Sequence, residues 1–474
     1  MTRTALVGAA ALALVATTTS AGTSPVTATT SAAPTTSAPA TALTAQQTAA
    51  RKASALPPTP GDFVGYGFDQ CLAPTQKAMD TWLNHSPFLA VGIYISGNSR
   101  ACRSQPNLTP AWVLNQLTKG WKLLPITLGP QASCQPRFPR YSDDPKIIPT
   151  RGAKALYPQA REQGRASGAQ SVVDARRLGI PEGSTLWYDL EGFDHTNRDC
   201  RESALAFLTT WNLTVEQAGF ATGVYSSAGS GIKAMDDVRR TRPTAYTLPE
   251  NIWLARWDGV ANTRTSYIGD AGWNPNRRIK QYRGGHVETH GGVSINIDSN
   301  WLEQGRGAIA PAERICGTTK LDFATYGPLR PKTATYTPPA DRVRALKCLL
   351  KQQGLYTGPV DHNYGPAVVK AVRAWKTARQ QSVGDWWYRK NWISLLSFGS
   401  RPIVKVGSSG VYGTWVRRVQ RALNAADLGV KVAVDGTFDG SVTTAVKRYQ
   451  ARIGRPQTGV VDGWTWAALQ AGRR

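Results

Sequence analysis

This 474-residue chain has no apolar run long enough to cross a bilayer, its opening run of roughly a dozen residues included. No membrane span is therefore expected. None of the six cysteines (Cys71, Cys102, Cys134, Cys200, Cys316, Cys348) stands in a CxxC pair, which argues against a zinc site or a thiol redox motif. His286 and His290 in GGHVETHGG are four apart, with no helix to bring them to one face and no third ligand beside them. They read as loop histidines, and neither metal nor cofactor is expected. Acidic residues are scarce: 31 Asp and Glu against 56 Lys and Arg leave a net charge of +25, so the partner is expected to be acidic.

The opening stretch, Met1-Thr2-Arg3 followed by ALVGAAALALVA and Thr19-Ser20-Ala21, has a basic tip, a short apolar core and a small-residue cleavage site. It predicts a signal peptide over 1–21 and a protein exported to the cell wall. In an exported chain an even cysteine set predicts disulfides, and pairing neighbours in order gives 71 with 102, 134 with 200, and 316 with 348. An exported protein meets the anionic polymers of the envelope rather than nucleic acid. Residues 22–60, almost entirely Ala, Thr, Ser, Pro and Gln, predict a disordered linker. The Pro/Thr-rich patch Pro328 to Pro339 marks a second linker, over 306–340.

The last third contains a repeat. Val434-Asp-Gly-Thr-Phe-Asp-Gly-Ser-Val-Thr-Thr-Ala-Val-Lys-Arg-Tyr-Gln450 aligns without a gap on Val360-Asp-His-Asn-Tyr-Gly-Pro-Ala-Val-Val-Lys-Ala-Val-Arg-Ala-Trp-Lys376. The register continues to Trp466 over Trp392 and Leu469 over Leu395. Val442, Ala445, Val446 and Tyr449 fall at i, i+3, i+4 and i+7, so each copy, 341–398 and 404–472, is expected to be a small helical bundle. From Asp341 onward 22 Lys/Arg face 7 Asp/Glu, which concentrates the basic excess here. The pattern of amphipathic helix, VDG turn, helix ending in Tyr-Gln and TGVVDGWTWAAL resembles the three-helix peptidoglycan-binding-like domain of cell-wall hydrolases. The first copy is degenerate: VDHNYG replaces VDGTFD, and the Trp-rich SVGDWWYRKNW replaces the loop.

Across 61–305 eight apolar runs recur: 63–68, 89–95, 121–128, 185–190, 221–225, 252–257, 279–282 and 293–297. With helices between the early ones, such as 110–117 and 201–208, they predict an α/β fold, an irregular TIM-like barrel. Asp258 to Arg278 and Arg283 to Gly292 hold no helical pattern, so the barrel is expected to be bare at its end, with an antiparallel final strand. Asn107-Leu-Thr and Asn212-Leu-Thr fit the glycosylation triplet.

The run LWYDLEG carries two carboxylates, Asp189 and Glu191, two positions apart. Side chains alternate along a strand, so they share a face roughly 6.6 to 6.8 Å apart. Asp69 ends the first run and Asp298 the last, which gathers four carboxylates at the C-terminal rim where barrel enzymes place reacting groups. Tyr66, Tyr94, Trp187, Tyr188, Trp257 and Tyr282 stand near these ends. Carboxylates with aromatics around a groove suit glycosidic cleavage, in which one acid protonates the leaving oxygen. Cys71, Cys102, Cys134 and Cys200 each follow one of the first four runs and are expected to staple rim loops.

GFD, DLEG, GVYSS, IWLARW, KQYRGG and INIDSNW occur in the order seen in family 25 glycoside hydrolases, the N-acetylmuramidases, which this region resembles. GFDQCLAP, AVGIYISG, NLTPAWV and GWKLLPITLGPQ are similar to a secreted actinobacterial glycoside-hydrolase-like family. The resemblance implies Glu191 as general acid, Asp189 orienting an N-acetyl group or a water, Asp69 and Asp298 as supporting carboxylates, and Tyr225 and Tyr282 lining sugar subsites. Two readings follow: a wall-bound glycosidase acting on peptidoglycan, or a catalytically inactive envelope-glycan-binding or scaffolding protein.

Overall fold

The computed structural model describes residues 43–137, 143–305, 315–408 and 413–474. The expected signal peptide and the linker as far as residue 42 lie outside the described residues. Eight strands close into a barrel in sequence order: β1 Phe63–Asp69, β2 Ala90–Ser96, β3 Lys122–Thr127, β4 Thr185–Asp189, β5 Ala221–Ser227, β6 Asn251–Ala255, β7 Arg277–His290 and β8 Val293–Gln304. β1 to β7 pair in parallel, and β8 runs antiparallel to both β7 and β1, as the bare end of the sequence predicts.

An additional helix, α1 Ala45–Ser54, precedes β1, and α2 Gln76–His85, α3 Pro110–Thr118, α4 Pro158–Leu178, α5 Arg198–Gln217 and α6 Lys233–Thr241 form the crossovers from β1 to β6. Thr75, Thr109 and Asn197 start α2, α3 and α5 by accepting a backbone N–H on their side chains, which satisfies an otherwise orphaned donor. Asn212 is buried in α5 and donates to Thr247 O, so the second glycosylation triplet is structural.

Three sequence expectations are corrected. The linker over 22–60 is not disordered throughout, because α1 is capped by Thr44 and buries Ala49 and Ala53. Arg283 to Gly292 is not a loop. β7 runs on to His290 and turns into β8 through Gly291 and Gly292, both at positive φ, where glycine carries no penalty. His286 and His290 thus lie on a strand, where period-two alternation puts both beside Glu288, whose carboxylate bridges their rings at 3.0 and 2.9 Å. Finally, 315–340 is no free linker, since Leu321, Phe323, Tyr326 and Leu329 are buried in the C-terminal core.

Large indoles fill the barrel because inward positions opposite them are glycine. A Cβ at Gly223 would lie 2.3 Å from the Trp187 ring, and one at Gly92 would lie 2.6 Å from the Asp69 Cβ. Trp187 and Trp253 meet edge to face in this space and form the floor below the rim.

The C-terminal region is two three-helix modules: α7 Ala340–Gln352, α8 Pro366–Thr377 and α9 Arg389–Ser397, then α10 Gly413–Ala426, α11 Gly440–Arg452 and α12 Gly463–Gln470. They share one hydrophobic core, and Ser394 Oγ in α9 donates to Gln470 O in α12 at 2.6 Å. The modules reproduce each other in detail. In the second, Asp435 accepts from Thr437 N at 2.8 Å and from the Gln420 amide at 2.8 Å; in the first, Asp361 accepts from Asn363 N at 2.7 Å and from Lys347 Nζ at 2.6 Å. An extended segment precedes each module and forms one antiparallel bridge, Leu329 with Trp387 and Val404 with Val461. The segment leading into the second module also docks on the barrel: buried Lys405 donates to Leu83 O at 2.8 Å and to Ser86 O at 3.1 Å, at the end of α2.

Candidate active site

β1, β4 and β8 deliver Asp69, Asp189 and Asp298 to the rim, and Glu191 follows two residues beyond Asp189. All four line one cavity with Tyr94, Arg100, Tyr225, Trp257 and Gln281. A second cavity adjoins it and shares Arg137, Glu191, Tyr225 and Trp257. Glu191, with Arg137, Tyr225 and Trp257, therefore stands where the two meet.

The expected tyrosines divide by strand parity. Tyr94 and Tyr225 face inward and reach the mouth, as does Trp257, which is 65 % exposed. Tyr66, Tyr188 and Tyr282 do not line it. Tyr188 neighbours inward-facing Asp189 and so points out, packing on Phe207 and Trp211 and donating to Pro130 O at 2.6 Å. Tyr66 likewise faces outward onto Phe88 and Trp301. Tyr282 is held away from the cavity beside Ser299, and burial pushes its phenol up to about 12. Trp187 lies beneath the mouth as packing.

The carboxylates have separate environments. Asp69 and Asp298 stand directly opposite in the β1–β8 register. Burial, and then the charge of Asp298, push the Asp69 carboxyl well above the usual range, and burial also raises Asp298, so the pair retains a proton more readily than exposed carboxyls do. Two amides support it. Asn300 Nδ2 donates to Asp69 Oδ2 at 2.6 Å, while Gln281 Nε2 reaches both Asp69 oxygens at 3.2 Å and Asp298 Oδ2 at 3.3 Å. The Gln281 carbonyl oxygen accepts from Tyr225 Oη at 3.0 Å and from Trp257 Nε1 at 2.9 Å, tying carboxylates to aromatic wall.

Asp189 is 3 % exposed and accepts from Tyr94 Oη at 3.4 Å. Burial and the surrounding carboxylates hold the Tyr94 and Tyr225 phenols well above their ordinary value, so both stay protonated donors. Glu191 is the more accessible, with Arg137 3.9 Å from its carboxylate. Buried Gln131 sets the turn between these two acids: its amide donates to Asp189 O at 2.8 Å and its oxygen accepts from Glu191 N at 2.9 Å. Rim loops are fixed by Cys71–Cys102 and Cys134–Cys200, and Cys316–Cys348 joins the segment before the first module to α7.

Gln131, Gln281 and Asn300 escaped sequence reasoning. Parity gave a signal for two of them: Gln281 is two residues from inward Ile279, and Asn300 two from Asp298.

Residues 80–302 match the model of the Rv2525c-like, glycoside hydrolase-like domain, and residues 339–383 and 413–469 match the peptidoglycan binding domain. The chain thus carries a glycoside hydrolase-like domain followed by peptidoglycan-binding repeats. No curated protein matches. Among solved structures, an uncharacterized B. stearothermophilus protein is similar at 18% identity and a TM-score of 0.33, covering 50% of this chain and 95% of its own. A family 25 glycosyl hydrolase from Bacillus anthracis is similar at 11% identity and a TM-score of 0.29, covering 52% and 91%. The two domain matches support a role on cell-wall glycan.

Proposed function

We propose that the chain is an exported cell-wall glycosidase that hydrolyses peptidoglycan glycan strands as an N-acetylmuramidase does, and that its C-terminal modules hold it on the wall. The observation that carries this reading is the place of Glu191 at the junction of two cavities, beside three further carboxylates. Bound across both, a glycan would present its linking oxygen to Glu191, the proton donor to the leaving group. Asp189, buried and held by Tyr94, orients an N-acetyl group or an attacking water. The proton-sharing pair of Asp69 and Asp298 keeps the mouth from accumulating four full negative charges. Trp257 offers a ring face to a sugar. Three disulfides fit an oxidising exterior, and the basic modules fit anionic wall polymers.

One observation favours a second reading, a non-catalytic glycan-binding or scaffolding protein: amides from Asn300 and Gln281 already satisfy the Asp69–Asp298 pair, as a purely structural cluster would require. The discriminating experiment is mass spectrometry of purified peptidoglycan after incubation with wild type and Glu191→Gln. The hydrolase reading expects new reducing ends with wild type alone and wall binding with both; no fragments from either protein would leave the second reading.

A further inference from the structure

The repeated register places equivalent grooves on the two helical modules, and their surroundings differ. In the second module Thr443, Lys447, Gly459 and Val460 face the barrel, which supplies Tyr66, His85 and His290 to the opposite wall. The aligned positions in the first module are Val369, Arg373, Asp385 and Trp386. Of these, Val369, Arg373 and Asp385 line a groove completed by Pro331, Tyr364 and Lys370, with no barrel residue among its described lining, and Trp386 follows Asp385 at its edge in the chain. Where Val460 is buried, Trp386 is 40 % exposed, and Tyr388 beside it is 43 % exposed.

This exposure is imposed by a rigid segment. Leu329 and Trp387 exchange two backbone hydrogen bonds of 2.8 and 2.7 Å, which buries the Trp387 ring. Strand-like alternation then turns both neighbours outward on the same side. The backbone is pinned further: Tyr364 Oη donates to Asp385 O at 2.7 Å, and buried Lys376 donates to Gly384 O at 3.0 Å and to Trp386 O. In the second module Gln450, which aligns with Lys376, makes the same bond to Val460 O at 2.9 Å. The scaffold is shared and the presented side chain has changed. Trp386 and Tyr388 lie 6.0 Å apart with planes 32° apart, and the Arg330 guanidinium covers one side of Trp386 at 4.7 Å. Arg330, Lys370 and Arg373 accompany a single carboxylate, Asp385, which Arg373 pairs at 2.6 Å. Two fixed, exposed rings amid cations form a surface for an apolar sugar face bearing negative charge, and a rigid aromatic pair left in water points to a binding surface. Trp386 and Tyr388 also fall outside the segments matched by the peptidoglycan-binding model.

We propose that the first module, the degenerate copy, carries an open glycan-binding site centred on Trp386 and Tyr388, and that its ligand is a carboxylate-bearing polysaccharide strand. The proposal deepens the wall-binding part of the reading above and is independent of hydrolysis. The test uses the full-length protein with peptide-free peptidoglycan glycan strands as probe, neutral chitohexaose as the uncharged comparison, and calorimetric titration as readout. Trp386→Ala/Tyr388→Ala is expected to weaken strand binding by about tenfold or more, as loss of aromatic anchors does, with an unchanged melting temperature. Trp464→Ala, which removes the exposed tryptophan of the second module, is expected to leave it within about twofold. Equal binding by the double variant and wild type overturns the site, as does loss of binding on Trp464→Ala alone. Equal affinity for chitohexaose and glycan strands overturns the anionic assignment. Loss of binding in the double variant, with no cleavage by wild type, upholds the site while refuting the hydrolase reading.

Discussion

At the barrel mouth four carboxylates share one cavity, two of them directly opposite on neighbouring strands; on the first helical module Lys370 and Arg373 line an open groove, and Arg330 covers Trp386. Like charge gathers in both, yet the consequences differ. Burial and the charge of Asp298 raise the Asp69 carboxyl, burial raises Asp298, and amides from Gln281 and Asn300 support the pair. Cations at a surface repel weakly through water and salt, so the module tolerates its excess without such support and leaves it available to a polyanion. On the readings proposed above, the mouth would act at a few atoms and the groove along a polymer.

If the division holds, the largest effect is expected from Glu191→Gln, which should lower release of reducing ends by roughly 10²- to 10⁴-fold, the usual contribution of a positioned acid, while wall pull-down is retained. Equal losses of binding and turnover would break the comparison. Next comes Gly92→Ala, whose methyl meets Asp69: overpacking of about 1–3 kcal/mol is expected in urea unfolding, together with loss of turnover. A smaller effect is expected from Asp69→Asn. A carboxyl raised in the fold stabilises fully below its unfolded value near 3.8, and that contribution is lost as pH rises through the folded value. The variant should therefore melt above wild type at neutral pH and lose that advantage toward pH 4, as followed by thermal denaturation. The smallest concerns salt: between 0.1 and 1 M the screening length falls from about 10 to about 3 Å, so strand binding by the module should weaken, with cleavage of a short neutral oligosaccharide little changed.

Much of this was legible in the residues. Period two placed Asp189 and Glu191 together, and strand ends placed Asp69 and Asp298 beside them. The same period, applied strictly, also removes Tyr66 and Tyr188 from the mouth, since each is an odd number of positions from the inward acid on its strand. Parity turns Gln281 and Asn300 inward as well but does not single them out. A neutral amide carries no signature in composition or charge, and only the closed barrel brings β7 and β8 against β1. The Pro- and Thr-rich character of 306–340 concealed Leu321, Phe323, Tyr326 and Leu329, whose spacing follows neither strand nor helix because they bury themselves one by one under a helical pair. In the repeat, the first copy departs from the motif, yet Lys347 and Lys376 take over the bonds made by Gln420 and Gln450.

Lys405 reaches under α2 to hold its final carbonyls, and the two modules share one interior. Among the described residues the second module is thus tied both to the barrel and to the first module. On the readings proposed above, a polymer held by the first module would be offered to the barrel at one set offset, as by a template rather than by a leash, and would meet Glu191 only at the lengths that this spacing admits.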